Sequence, residues 1–146
     1  MKQSYKKPPI YTGVFFDADN LYRQVGRYRI SPLEKQIPSP HVTVSYMPYP
    51  FEVNEQLYGT EVTVTVVGYA NDEKNEGVRV KLDCENEKLK TLFSRITVPH
   101  ITLSVARDSK PVRTGALTFS PVDEQIELRG KYVAFYDDGV RCESDA

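Results

Sequence analysis

The chain has 146 residues, of which 19 are Lys or Arg and 20 are Asp or Glu, so its formal net charge is −1. This length predicts one domain, residues 1–146, whose core is large enough to fold without a cofactor. The near-neutral charge argues against a long nucleic-acid groove held by many phosphate contacts, although a small anionic ligand needs only a few local cations.

The sequence carries no signal for a membrane partner or a metal. The basic residues 1–9 are not followed by an apolar segment, and no stretch approaches the roughly 18 apolar residues of a membrane span. Cys84 and Cys142 are too few and too far apart for a zinc site, because no C-x-x-C or H-x-x-x-H spacing exists. We therefore expect a soluble, cytoplasmic protein without metal or other cofactor. Whether the two cysteines are reduced or paired is left open.

Three elements are predicted before the first histidine. A strand rich in aromatic and β-branched residues covers residues 10–16. A short helix over residues 21–25 follows, with Asp17 or Asp19 placed to cap it. The chain then runs through an extended connection that contains Pro32, Pro38 and Pro40.

The central part of the chain predicts a hairpin and a helix. Residues 61–69 alternate between apolar and polar side chains and return through a polar turn, residues 71–77, into a strand at 78–82. Residues 85–95 form the clearest helical pattern, with apolar residues at positions i, i+3 and i+4. A polar loop at 107–115 and a second hairpin, 126–136 with 140–142, close the chain.

The two histidines occupy nearly the same phrase, PHVTVS at residues 40–45 and PHITLS at residues 99–104. Alternate residues of a strand share a face, so each phrase predicts a polar row, one of His41, Thr43 and Ser45 and one of His100, Thr102 and Ser104. The intervening residues, including Tyr46 after the first phrase, are predicted to face the core.

The two halves of the chain also share their order of elements. A strand and then a connector or helix precede each histidine strand, which indicates a duplicated β-α-β-β unit. The phrases GVRV at 77–80 and GVRC at 139–142 indicate a second pair of equivalent segments. We therefore predict an α+β fold of two pseudo-symmetric lobes, with antiparallel sheets around a central cleft and the histidine strands side by side.

Paired histidines without a metal suit acid–base chemistry at a phosphodiester. A neutral imidazole accepts a proton from the attacking water or hydroxyl, while a protonated imidazole donates one to the leaving oxygen. The hydroxyls of Thr43 and Thr102 are candidates to donate to the non-bridging oxygens, where charge accumulates. The sequence does not indicate whether His41 or His100 is the acid.

Two H-x-T elements on the strands of a duplicated α+β unit resemble the signature of the 2H phosphoesterase superfamily. The resemblance implies metal-independent cleavage of a 2′,3′-cyclic, 2′-5′ or 3′-5′ phosphodiester in a nucleotide or short oligonucleotide. The superfamily includes cyclic phosphodiesterases of RNA processing and small phage enzymes that degrade cyclic nucleotide signals of bacterial immunity. The short chain and Tyr11 near its N-terminus are more similar to the phage enzymes.

Four further residues are candidates for substrate binding. Tyr11 and Tyr49, which lies in a proline-stiffened loop after the first histidine strand, are expected to stack on a base. Arg107 and Lys110, in the loop after the second histidine strand, are expected to attract an anionic substrate.

Two other classes of function compete with an enzyme. Twin His/Thr strands would also suit a sensor or sponge that binds cyclic nucleotides or RNA ends without cleaving them. A structural or interaction domain would retain two similar strands with no chemistry. Because both H-x-T motifs are intact, the sequence favours a phosphodiesterase.

Overall fold

The computed structural model describes residues 9–48, 54–136 and 141–142, the last two in backbone only. This part of the chain forms nine strands and two α-helices: β1 Tyr11–Phe15, α1 Ala18–Val25, β2 Lys35–Gln36, β3 His41–Tyr46, β4 Glu61–Asn71, β5 Asn75–Asp83, α2 Glu87–Phe93, β6 His100–Val105, β7 Ser120–Pro121, β8 Glu127–Phe135 and β9 Arg141–Cys142. Two 3₁₀ segments cover Glu55–Leu57 and Pro111–Ala116. The α+β class is confirmed, and no helix in the described ranges is long and apolar enough to cross a membrane.

Six antiparallel strands close into a barrel in the order β3-β1-β8-β4-β5-β6, with β6 returning to β3. The alternation of β4 places every second side chain in the barrel core, where Val62, Val64 and Val66 are fully buried. The short strands β2, β7 and β9 add to β6, β4 and β8 respectively. Closure leaves the strands of the barrel without free edges and so protects their backbone hydrogen bonds.

The strand order has a pseudo-twofold symmetry. Exchanging β1-α1-β3-β4 with β5-α2-β6-β8 maps the barrel onto itself, with one end of the axis between β3 and β6. The predicted β-α-β-β repeat and the adjacent histidine strands are therefore confirmed. The two halves share one closed sheet rather than separate cores.

The symmetry extends to two glycines. A Cβ added to Gly13 on β1 would lie 2.6 Å from the carbonyl oxygen of Val42, and a Cβ added to Gly77 on β5 would lie 2.7 Å from that of Ile101. Only glycine allows these close approaches between strands. Under this symmetry, residues 77–80 of β5 are equivalent to the part of β1 around Gly13. The predicted equivalence of residues 77–80 with residues 139–142 is therefore wrong.

Both histidine strands contain a β-bulge at the same place. Val44 on β3 and Leu103 on β6 are extra residues where the pairing with β1 and β5 shifts register. An extra residue reverses the alternation beyond it, so the predicted polar rows end at the bulges. Ser104 is fully buried rather than in line with His100, and Tyr46 faces outward with 73% of its surface exposed.

The helices lie near their predicted positions. Asp17 caps α1 by accepting a hydrogen bond from the Asn20 amide at 3.3 Å. Asn86 caps α2 through the Leu89 amide at 3.0 Å, so this helix begins at residue 87 and ends at residue 93, inside the predicted span 85–95. Each helix buries two apolar residues against the barrel, Leu21 and Val25 in α1, Leu89 and Phe93 in α2.

A buried charged cluster holds the connector between α1 and β3, residues 26–40, against the barrel. Glu76 on β5 is fully buried and accepts two hydrogen bonds from Arg29 of the connector, at 3.0 and 2.7 Å. It also accepts hydrogen bonds from the hydroxyls of Tyr69 and Ser104, each at 2.6 Å. A buried carboxylate with four donors is fully compensated. The cluster therefore fixes where the connector crosses the sheet.

Candidate active site

A cleft of about 460 Å³ opens on the outer surface where β3 and β6 meet. All four residues of the two H-x-T motifs line it: His41, Thr43, His100 and Thr102. Tyr11, the first residue of β1, lines it as well. The tertiary structure thus brings together residues that are 59 positions apart in the sequence.

The pairing of β3 with β6 explains how the motif residues share one face. Val42 pairs with Ile101, and both side chains are fully buried in the barrel. Their neighbours in each strand consequently project to the outer face, into the cleft.

Each histidine lies across from the threonine of the other motif. The antiparallel register of the Val42–Ile101 pair sets His41 opposite Thr102, and Thr43 opposite His100. The two histidines are then diagonal neighbours, and such neighbours are separated by about 7–8 Å. This separation leaves room for a phosphate group between the two imidazoles, with a hydroxyl beside each.

The two imidazoles are held by equivalent hydrogen bonds. Nδ1 of His41 lies 3.0 Å from the carbonyl oxygen of Ser39, and Nδ1 of His100 lies 2.8 Å from that of Val98. Because a carbonyl oxygen only accepts, each Nδ1 must carry the hydrogen. In the neutral ring Nε2 then has the free lone pair, so both imidazoles can exchange a proton through Nε2.

The surroundings of the two imidazoles differ. The His41 ring stacks on Phe15 and Tyr11, at centroid distances of 4.7 and 4.9 Å. Burial lowers the pKa of His41, and a positive charge on His100 lowers it further, while the hydrogen bond to Ser39 opposes the shift.

The residues beside His100 differ from those beside His41. Its cross-strand partner is Arg79 of β5, where His41 has Phe15 of β1. The backbone of Gly115 covers its ring, since a Cβ at this position would lie 3.1 Å from Cε1 of His100. The pseudo-twofold site therefore has one aromatic end and one end that carries a cation.

The two threonines also differ. Thr43 is exposed, whereas Thr102 is half-buried and its hydroxyl lies 3.3 Å from the carbonyl oxygen of Pro111, to which it donates. Both hydroxyls lie on the cleft side of their strands. A bound phosphate could accept a hydrogen bond from Thr43 directly, and from Thr102 after its hydroxyl rotates away from Pro111.

The other candidate residues are not all brought to the cleft. Tyr11 lines it, whereas Tyr49 lies outside the described residues. Arg107 and Lys110 are exposed but do not line the cleft. The Arg107 guanidinium lies 3.3 Å from Glu34, so its charge is partly compensated on the surface.

The cleft also has an apolar rim that was not predicted from the sequence. Ile37, Tyr46 and Val112 line the cleft, and Tyr46 and Val112 are 73% and 81% exposed. The sequence signal for Tyr46 was its place at the end of the first motif strand, which the bulge turns outward. Ile37 and Val112 arrive from segments whose position depends on tertiary contacts, so the sequence held no signal for them.

No group of three His, Cys, Asp or Glu side chains that could hold a metal ion occurs among the described residues. Cys84 has a free thiol and lies away from the cleft lining.

Neither a family model nor a curated protein matches this chain. Among solved structures, the fold is similar to that of a chain described as a fungal RNA kinase, with a TM-score of 0.62 and 11% sequence identity. The similarity covers 92% of this chain and 47% of that one, so this chain spans about half the length of its structural neighbour. At this level of identity the likeness concerns the fold.

Proposed function

We propose that this chain is a phosphodiesterase that cleaves a cyclic or a 2′-5′ or 3′-5′ linked nucleotide or oligonucleotide without a metal ion. The observation that carries the proposal is the shared cleft, in which His41 and His100 each keep Nε2 available and each face a threonine. The arrangement is the one implied by the resemblance to the 2H phosphoesterase superfamily. The fold likeness to a fungal RNA kinase is in keeping with an RNA or nucleotide substrate.

The unequal surroundings of the imidazoles suggest their roles. His41, beside two aromatic rings, favours the neutral form and acts as the base that takes a proton from the attacking water. Oxygen then bonds to phosphorus, the opposite phosphorus–oxygen ester bond breaks, and protonated His100 donates its proton to the leaving oxygen. Thr43 and Thr102 donate hydrogen bonds to the non-bridging oxygens as charge builds on them.

Incubation with a substrate panel tests the proposal. The panel contains 2′,3′-cyclic mononucleotides, 2′-5′ oligoadenylates, linear dinucleotides, and the cyclic di- and trinucleotides used as immune signals, with products separated by chromatography. We expect hydrolysis of at least one class, and losses of about 10²-fold or more in kcat for His41→Ala and His100→Ala. Thr43→Ala and Thr102→Ala should have smaller effects.

Thr91→Ala is the matched control, since Thr91 lies on α2, is exposed and does not line the cleft. Full activity of both histidine variants would contradict the proposed mechanism. Tight binding of a panel member without any product would favour the sensor or sponge instead.

A further inference from the structure

A second groove, of about 610 Å³, begins beside His100 on the outer face of β5. Arg79 lines this groove and is the cross-strand partner of His100, so their side chains share a face of the sheet. Pro99 lines it too, and its carbonyl oxygen accepts a hydrogen bond from the Val80 amide at 3.0 Å. The groove therefore adjoins Pro99 and His100, where the chain enters β6.

This groove carries positive charge that no carboxylate among the described residues compensates. Arg79 and Lys81 are exposed on either side of buried Val80, and both line the groove. The lining contains no Asp or Glu. Within the described part of the chain, neither cation takes part in an ion pair.

The other surface grooves described outside the cleft balance their charges. In one, Arg27 forms an ion pair with Glu124 at 3.0 Å. In another, Arg129 and Lys131 are accompanied by Asp17 and Glu61. Two free cations beside His100 are therefore a local feature of a chain whose formal net charge is −1.

We propose that this groove binds the phosphate next to the scissile one, so that the substrate is an oligonucleotide with at least two phosphates. The inference rests on the proposed phosphodiesterase function. Arg79 and Lys81 are the phosphate donors, while Pro99 and Phe119 provide apolar wall for the attached nucleoside.

The unlike ends of the cleft determine the orientation in which the substrate binds. Arg79 occupies the place that Phe15 occupies beside His41, and the cations near Phe15 are accompanied by Asp17 and Glu61, so the adjacent phosphate is attracted more strongly at the His100 end. The nucleoside with the leaving oxygen consequently lies toward the groove, and the aromatic end accepts the other side of the scissile phosphate.

Two substrates with the same reacting group separate this subsite from the catalytic cleft. One is adenosine 2′,3′-cyclic phosphate, and the other is a triadenylate ending in the same cyclic phosphate. For Arg79→Ala/Lys81→Ala we expect KM for the trinucleotide to rise about tenfold more than KM for the mononucleotide, because only the trinucleotide carries a phosphate that reaches the groove. Added salt should raise the wild-type KM for the trinucleotide more than that for the mononucleotide.

The control variant is Lys88→Ala/Arg129→Ala, which removes the same charge from exposed positions outside both the cleft and the groove. It should leave both substrates unaffected. An unchanged KM for the trinucleotide in Arg79→Ala/Lys81→Ala, or an equal loss for both substrates, would overturn the subsite.

If the wild-type chain hydrolyses neither substrate, that result counts against the phosphodiesterase. A binding measurement still tests the subsite in that case. Fluorescence anisotropy with a labelled linear triadenylate then compares wild type with Arg79→Ala/Lys81→Ala. Weaker binding by the variant supports the groove as a phosphate site, whereas equal binding, or no binding by either protein, refutes it.

Discussion

His41 and His100 make the same hydrogen bond through Nδ1 but have different neighbours, and those of His41 lower its pKa. Aromatic rings beside His41 exclude water, which disfavours its charged form. His100 lies under the backbone of Gly115 and across from Arg79. Two equivalent residues of a repeat thereby acquire distinct environments from a few side chains around them.

The lowered pKa of His41 predicts the acidic limb of the pH profile. A base works only when it is unprotonated, so the acidic limb of kcat/KM should lie below about pH 6.5, the ordinary value for histidine. In Tyr11→Ala, water reaches the ring, the pKa of His41 rises, and the limb should move to higher pH. Activity at pH 5–6 should then fall more than activity at pH 7.5.

Measurement of kcat/KM between about pH 4.5 and pH 9 checks this expectation. Tyr46→Ala is the control, because Tyr46 lines the cleft yet has no ring contact with His41. An acidic limb that stays in place in Tyr11→Ala would mean that His41 is not the base, or that Tyr11 does not desolvate it.

A second prediction at the residue scale concerns the effect of Gly115→Ala on kcat. The added methyl of Gly115→Ala would lie 3.1 Å from Cε1 of His100, so the imidazole must move by a few tenths of an ångström. We expect kcat to fall about 3- to 10-fold, because small misplacements of a catalytic group are costly, with little change in the melting temperature.

Gly26→Ala serves as the comparison, since the new methyl there meets only carbonyl oxygens at 3.4 Å, an ordinary contact. Steady-state kinetics and thermal melting of both variants provide the two readouts. If Gly115→Ala and Gly26→Ala had the same kcat, the packing on His100 would have no bearing on the reaction.

The connector and strands β4, β5 and β6 together support the cleft from beneath. Glu76 joins them through Arg29, Tyr69 and Ser104. Tyr22 on α1 adds a hydrogen bond of 2.5 Å to the carbonyl oxygen of Ile37, a residue that lines the cleft. One wall of the site therefore depends on polar contacts buried beneath it.

Removal of the Glu76 carboxylate should be strongly destabilising. In Glu76→Ala the Arg29 guanidinium, whose side chain is 9% exposed, would lose its ion pair in the interior. We expect the free energy of unfolding to fall by about 3–5 kcal/mol, as measured by urea denaturation. Glu76→Gln retains hydrogen-bonding capacity and should lose less.

Glu124→Ala provides the surface comparison, because its ion pair with Arg27 is largely exposed and should contribute about 1 kcal/mol or less. Equal stability of Glu76→Ala and wild type would contradict the supporting role of the buried cluster.

The described part of the chain is built on a closed six-stranded barrel whose pseudo-twofold axis passes between the two histidine strands. Symmetry sets the two H-x-T motifs against each other, and the bulges after them turn Tyr46 toward the cleft. Departures from symmetry, with Phe15 on one side and Arg79 on the other, give the cleft unlike ends. A repeat thus provides two similar groups, and sequence divergence gives them different neighbours.

The proposed mechanism, with two imidazoles and two hydroxyls, predicts that turnover does not require a metal ion. We expect activity after EDTA treatment and dialysis to equal that of the untreated protein, since each proton transfer has an imidazole to perform it. Assays with and without added Mg²⁺, Mn²⁺ or Zn²⁺ check this. Loss of activity in EDTA with recovery on adding one of these ions would refute the metal-free mechanism.

Local patterns were sufficient to predict much of this protein. Aromatic and β-branched residues located β1, alternation of apolar and polar residues located β3, β4 and β6, a candidate aspartate cap located α1, and helical spacing with acidic residues in the first turn located α2. The repeated H-x-T phrase identified four cleft residues and the order of elements around them. These predictions succeeded because they depend on residues close together in the sequence.

Only the tertiary structure decided what surrounds those four residues. Closure of β4 on β8, the bulges at Val44 and Leu103, and the approach of Ile37 and Gly115 arise from pairing between distant segments. Arg107 and Lys110 do not line the cleft although Val112 of the same loop does, while Arg79 is brought beside His100 by its strand register. The alternation of a strand defines which residues share a face, but its partner, its register and its bulges determine which neighbours that face meets.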